Sequence, residues 1–237
     1  MIPEKRHQII SQNLERVKDK MKSSAVLSGR TTKDIDLIAV TKTWPPDIIA
    51  MLIENGIFQL GENRIQEAIP KIGVLNSKYQ NLSWHMIGHL QSNKASQAAE
   101  YFHCVQSVDS VKIARRISRA AIEKNKIIDI LLEVNISGEI SKFGFSPSEI
   151  LPVAEEIMML AGLNLRGLMT IGPLTTDKEK IRISFKKMKN HFDGLAIHFP
   201  GAINVLSMGM SDDYEIAIEE GATQVRLGRA IFGSRDN

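Results

Sequence analysis

The sequence predicts a closed (β/α)8 barrel spanning residues 1–237 as one domain, with an extra helix at its N-terminal end. Three observations support this. Eight short runs of apolar and β-branched residues alternate with longer amphipathic stretches, the pattern of a parallel sheet whose strands are joined by helices. No Pro/Gly/Ser-rich linker or low-complexity tract interrupts the alternation. The rival, an open doubly wound sheet, lacks its signature, since no G-x-G-x-x-G follows an early strand and no G-x-x-x-x-G-K-[ST] occurs anywhere.

Ile9, Ile10, Leu14, Val17 and Met21 recur at helical spacing, and Gly29 offers a C-cap, so the opening helix runs over residues 3–27. The first strand is 36–41; Pro45 and Pro46 stop it and start a helix over 46–55. Four strand and helix pairs follow at 57–60 and 63–71, 83–87 and 93–100, 101–105 and 111–125, and 128–134 and 147–160. The sixth and seventh pairs are 163–168 with 178–191 and 202–206 with 212–220. The eighth strand, 223–227, leads into the shortest helix, 228–233.

Composition narrows the function classes. With 43% apolar and 24% charged residues the chain reads as an ordinary globular protein with a sizeable core. A formal charge of +3 is too weak to argue for nucleic acid but suits a small anionic ligand. Met1-Ile2-Pro3-Glu4-Lys5-Arg6-His7 is charged with no apolar stretch behind it, and no run approaches the roughly 18 apolar residues of a membrane span. The expectation is a cytoplasmic protein without membrane contact. The single cysteine, Cys104, has no internal disulfide partner and reads as a core thiol in a reducing compartment.

A barrel places chemistry at the C-terminal ends of its strands, so each strand's exit is a candidate. Lys42 leaves the first strand toward the mouth. Between low-dielectric walls a lysine loses its proton more readily and can attack an aldehyde to form a Schiff base. From position alone a solvated lysine is the commoner case. The loops after strands seven and eight often hold phosphate in barrels. Ser207, Met208 and Gly209, with the amides of Gly228 and Arg229, suit an anion, while Asp212 and Asp213 are expected to turn away because they would repel it. Asp212 with Glu215 also fits a capping box, as does Asn63 with Gln66 after strand two. His85 and His89 stand four apart but lack the helical H-E-x-x-H context and a third ligand, so no metal site is expected. The stretch 135–144 is long enough for a flap, from which Lys142 could reach the mouth.

These segments together resemble the pyridoxal phosphate homeostasis protein family, itself similar to the N-terminal barrel of alanine racemase, essentially from end to end. The carriers are Ala39-Val40-Thr41-Lys42-Thr43, Gly61-Glu62-Asn63, Trp84-His85-Met86-Ile87-Gly88 with Leu90-Gln91-Ser92-Asn93-Lys94, and Val134-Asn135-Ile136-Ser137. They continue through Gly167-Leu168-Met169-Thr170-Ile171, Leu206-Ser207-Met208-Gly209-Met210-Ser211-Asp212-Asp213, and Val225-Arg226-Leu227-Gly228 with Ala230-Ile231-Phe232-Gly233. The resemblance implies pyridoxal 5'-phosphate held as an aldimine on Lys42, Asn63 near the cofactor, and Arg226 facing the pyridine nitrogen. Phosphate contacts are implied from Ser207, Gly228 and Arg229. The family usually carries a small hydroxylated residue where this chain has Arg229; a charge-assisted bond from its guanidinium is expected in place of the hydroxyl.

A positive Arg226 beside the ring nitrogen would keep that nitrogen unprotonated and weaken the ring as an electron sink. Alanine racemase adds a second catalytic group and a β-domain, and no room for such a domain is expected after Phe232. The expectation is therefore a carrier that buffers vitamin B6 without turnover; the resemblance further suggests a monomer, with pyridoxal-dependent apoenzymes as candidate recipients of the cofactor. The rivals are an amino-acid racemase using His85 as its base, a class I aldolase using the lysine without cofactor, and a scaffold with no ligand.

Overall fold

A computed structural model describes residues 3–139 and 142–233, and its eight parallel strands close into a barrel in chain order. The strands are β1 Asp36–Val40, β2 Gln59–Glu62, β3 Ser83–Met86, β4 Cys104–Val108, β5 Ile128–Glu133, β6 Leu163–Met169, β7 Val205–Ser207 and β8 Gln224–Leu227. β8 returns to β1 in register from Asp36↔Gln224 to Ala39↔Leu227, so the sheet has no open edge. Nine α-helices lie among the described residues: α1 Pro3–Leu27, α2 Pro46–Glu54, α3 Ile65–Asn76, α4 Ala95–Tyr101, α5 Val111–Glu123, α6 Ile150–Met158, α7 Lys178–His198, α8 Tyr214–Glu219 and α9 Arg229–Phe232. This is the (β/α)8 barrel that the alternation predicts. None of these helices is long and apolar enough to cross a membrane.

Three strands sit further along the chain than their apolar runs suggest. β2, β4 and β7 reach Glu62, Val108 and Ser207 instead of stopping at Leu60, Val105 and Leu206. The added residues include Glu62, Gln106, Ser107 and Ser207, which are polar yet fully buried. The mouth end of the barrel is polar inside, so loss of apolar character there does not mark the end of a strand. Tyr101, read as the start of a strand, closes α4 instead. α7 runs on to His198 because Met188, Phe192 and Leu195 continue its buried stripe.

α1 buries Ile10, Leu14, Val17 and Met21 and packs on α2, α8 and α9. Each such side chain contributes roughly 1.5–3 kcal/mol when fully buried. Asn13 donates to the Ile231 carbonyl at 2.9 Å, so the extra helix braces the last βα unit. Inside the barrel, strand alternation sends every second residue inward. Cys104, Leu131 and Met169 form a small apolar cluster with Val205, and Gln106, Glu133, Ser207 and Arg226 occupy the buried positions nearer the mouth. Burial pushes the Cys104 thiol up, which keeps it protonated and unreactive.

Candidate functional site

Thr41 is the last buried residue after β1, and the chain then turns at Thr43, whose φ is 67°. Lys42, between them, lines a cavity of 510 Å³ at the barrel mouth together with Val40, Trp44, Arg226, Gly228 and Arg229. The β7–α8 turn at Met210, Ser211 and Asp212 completes the rim. Trp44 stacks on Phe232 at 4.7 Å between centroids, and the Arg6 guanidinium lies 5.1 Å from the Trp44 ring, fixing the wall beside Lys42. Among the described residues the Lys42 ammonium makes no hydrogen bond or ion pair, whereas Lys71 and Lys142 are each fully engaged.

Arg226 is the second charged group of this cavity that the barrel itself holds. Its guanidinium donates to Ser207 Oγ at 2.7 Å and to the Thr170 carbonyl at 2.8 Å. Ser207 in turn donates to Gln106 Oε1 at 2.8 Å, and Gln106 Nε2 donates to Gln224 Oε1 at 2.5 Å and lies 3.2 Å from His85 Nδ1. Burial lowers the Arg226 pKa to about 10 against the opposing pull of Asp213 and Glu133, so the side chain stays charged at neutral pH. Burial, reinforced by His103, lowers His85 to about 3. His85 is thus a neutral interior histidine that also meets Ser83 Oγ at 3.1 Å and does not line the Lys42 cavity.

Of the predicted site residues, Lys42, Arg226, Gly228 and Arg229 come together around one cavity. Asn63 follows β2 in register with Lys42, because Val40 pairs with Gly61. Its Oδ1 is buried without a partner among the described residues, and α3 starts at Ile65 with Arg64 as its cap, so the Asn63–Gln66 capping box does not form. Ser207, Met208 and Gly209 lie behind the lining. The Ser207 hydroxyl is committed to Arg226 and Gln106, and the Met208 side chain is in the core with its amide donating to the Gln224 carbonyl. Gly209 has φ 94°, and a Cβ there would stand 2.5 Å from that of Ala217, so this turn accepts no larger residue.

One expectation about charge is corrected. Asp212 does not turn away: it lines the cavity and forms an ion pair with Arg229. One guanidinium nitrogen of Arg229 is thus paired with Asp212 on the exposed rim of the cavity. Asp213 does turn inward, accepting from the Met210 amide at 2.6 Å. Glu215 pairs with Lys20 at 2.7 Å and α8 begins only at Tyr214, so the Asp212–Glu215 capping box is absent. Lys142 pairs with Glu139 at 2.6 Å and donates to the Gly172 carbonyl at 2.9 Å, which ties it to the β6 exit and away from the Lys42 cavity. Among the described residues no three metal-ligating side chains cluster.

Sequence reasoning missed a buried charge network beside Lys42. Lys71 of α3 donates to Glu62 Oε1 at 2.8 Å, to Glu67 Oε1 at 2.8 Å and to the Thr41 carbonyl at 3.0 Å. The available signal was a lysine among the inward positions Ala68, Ile72 and Leu75 of an amphipathic helix, one turn after a glutamate. It also missed Glu133, a buried carboxyl at the β5 exit that burial and Asp109 raise to about 7 against the pull of Arg226.

Fold and mouth together define an alanine racemase-like barrel, and the family model described as "Alanine racemase, N-terminal domain" matches residues 10–236. Curated relatives include proteins named "Pyridoxal phosphate homeostasis protein" from Vibrio alginolyticus, 39% identical with 96% of this chain and 98% of the relative covered, and from Escherichia coli, 40% identical with 96% and 97% covered. The chain belongs to the pyridoxal phosphate homeostasis protein family. Among solved structures, PipY of Synechococcus elongatus with pyridoxal phosphate bound superposes with a TM-score of 0.82 at 32% identity, covering 94% of this chain and 100% of PipY.

Proposed function

We propose that this chain binds pyridoxal 5'-phosphate in the Lys42 cavity, with Lys42 as the covalent anchor, and serves intracellular vitamin B6 homeostasis as a carrier without catalytic turnover. The observation that carries the proposal is that a lysine ammonium without a partner among the described residues and a buried, charged arginine line one cavity of 510 Å³. That size lies within the roughly 300–1,000 Å³ of small-molecule sites. The donor set fits the group, because the orphaned Asn63 Oδ1 offers an unused acceptor beside Lys42.

When bound, the cofactor would supply an aldehyde that condenses reversibly with amines. Lys42 provides the amine. Arg226, locked by Ser207 and Thr170, keeps a positive charge where the family places the ring nitrogen and so disfavours a second charge beside it. The amides of Gly209, Gly228 and Arg229 make no backbone hydrogen bond among the described residues and take the phosphate, while Ser207 and Met208 hold that loop from behind. Trp44 and Phe232 limit water at the lysine side. On this reading the protein works in the cytoplasm as a monomer and passes cofactor to pyridoxal-dependent apoenzymes.

Visible absorption spectra of the protein and of Lys42→Ala test the proposal, each with added pyridoxal 5'-phosphate and then a panel of amino acids. The expected result is a band that only the wild type shows and that amino acids perturb without product. Racemised or decarboxylated product would move the protein to the enzymes, and a band that survives Lys42→Ala would remove Lys42 as the anchor.

A further inference from the structure

We propose that Glu62, Lys71 and Glu67 are the positioning residues of Lys42, a clamp that fixes both peptide units on either side of it. This inference rests on the proposed role of Lys42 as the covalent anchor. The carbonyl of the Thr41–Lys42 peptide accepts from Lys71 Nζ at 3.0 Å. The amide of the Lys42–Thr43 peptide donates to Glu67 Oε1, the same oxygen that Lys71 reaches at 2.8 Å. Thr41 Oγ1 donates to Glu62 Oε1 at 2.7 Å, which Lys71 also contacts at 2.8 Å. The three donors of one ammonium therefore tie β1, β2 and α3 together around a single residue. With both neighbouring peptide planes held, φ and ψ of Lys42 are set and its side chain leaves the backbone along one direction.

Two features show that this network does more than fill space. Thr43 is β-branched yet sits at φ 67°, a left-handed conformation that such residues avoid and that persists only where the surroundings impose it. The bond from its amide to Glu67 supplies that restraint. Glu62 and Lys71 are buried, where an ion pair carries a heavy desolvation penalty for each charge and could be replaced by apolar packing if stability alone mattered. A reactive amine has a reason for such rigidity, since a displacement of about 1 Å can cost on the order of a hundredfold in rate.

Glu67, on the partly exposed rim of the network, is the position to test. The full-length wild type, Glu67→Ala and Glu67→Gln are compared by three readouts: thermal melting, the rate at which pyridoxal 5'-phosphate generates the Lys42-dependent band, and labelling of Lys42 by formaldehyde with cyanoborohydride, followed by peptide mass. Glu67→Gln keeps an oxygen for the Thr43 amide. The clamp predicts that Glu67→Ala melts cooperatively, adds cofactor at least about tenfold more slowly, and labels at Lys42 like an exposed lysine, with Glu67→Gln restoring most of both. Wild-type addition and labelling in Glu67→Ala, with only the melting temperature lowered, would overturn the proposal. If Glu67→Ala does not fold, Glu67→Asp, one methylene too short to reach Thr43 while keeping the charge, carries the same comparison. A wild type with no Lys42-dependent band would defeat the cofactor proposal, and the labelling shift would still decide the clamp.

Discussion

Replacing Glu133 by Gln changes one atom pair in the barrel and should remove a definite pH dependence of stability. Glu133 ends β5 and is only 7% exposed, so solvent screens little of its environment. Burial and Asp109 raise its carboxyl from 4.5 to about 7, and Arg226 opposes them. Lys142 lines the same small cavity beside it. Between those two values the folded chain holds a proton that the unfolded chain has released, so stability falls as pH rises through the window. From pH 5 to pH 8 the loss is about 2–3 kcal/mol. His85, lowered to about 3, acts in the opposite sense, because below its unfolded value the unfolded chain binds the proton. That contribution is common to both proteins and cancels in their difference. Urea unfolding followed by the fluorescence of buried Trp84 at pH 5 and pH 8 gives that difference. Glu133→Gln is expected to be near wild type at pH 5 and more stable by about 2–3 kcal/mol at pH 8. An identical difference at both pH values would show that the carboxyl titrates normally and that its burial has been misread.

Three further outcomes follow from the mouth. A Cβ on Gly88 would stand 2.4 Å from the Asn63 carbonyl, so Gly88→Ala should cost about 2 kcal/mol and lower the melting temperature by about 4–8 °C; calorimetry showing no change would mean that the β2 exit yields freely. Asp212→Asn should release Arg229, raise affinity for pyridoxal 5'-phosphate a few-fold and steepen its salt dependence, as titrations at two ionic strengths would register. Lys71→Met leaves Glu62 buried without its partner and should cost about 3–5 kcal/mol in urea unfolding, much of it recovered by adding Glu62→Gln.

The scaffold was legible in the sequence because scaffold residues obey burial periodicity. α1 runs over the predicted residues because Ile10, Leu14, Val17 and Met21 form an unbroken stripe with a glycine after it. The candidate site was legible in part: Lys42, Gly228 and Arg229, which strand exits mark, and Arg226, which the resemblance supplied, line one cavity. What escaped has a common physical cause. Glu62, Gln106 and Ser207 look like loop residues, yet they are buried because hydrogen bonds across neighbouring strands satisfy them, and pairing across the barrel leaves no local trace. The same holds for Arg229 and Asp212, seventeen residues apart, whose pairing depends on two loops meeting. Lys71 could be noticed as an odd residue on an apolar face, but its contact with the Thr41 carbonyl required the fold.

The proposed function stands or falls with Lys42 as the anchor of the cofactor. Its most direct test is borohydride reduction of the protein incubated with pyridoxal 5'-phosphate, followed by peptide mass mapping of every lysine. One stoichiometric pyridoxyl adduct is expected on Lys42, absent from Lys42→Ala and with no equal adduct on Lys71 or Lys142, whose ammonium groups are engaged. An unmodified Lys42 beside a fully labelled lysine elsewhere would contradict it.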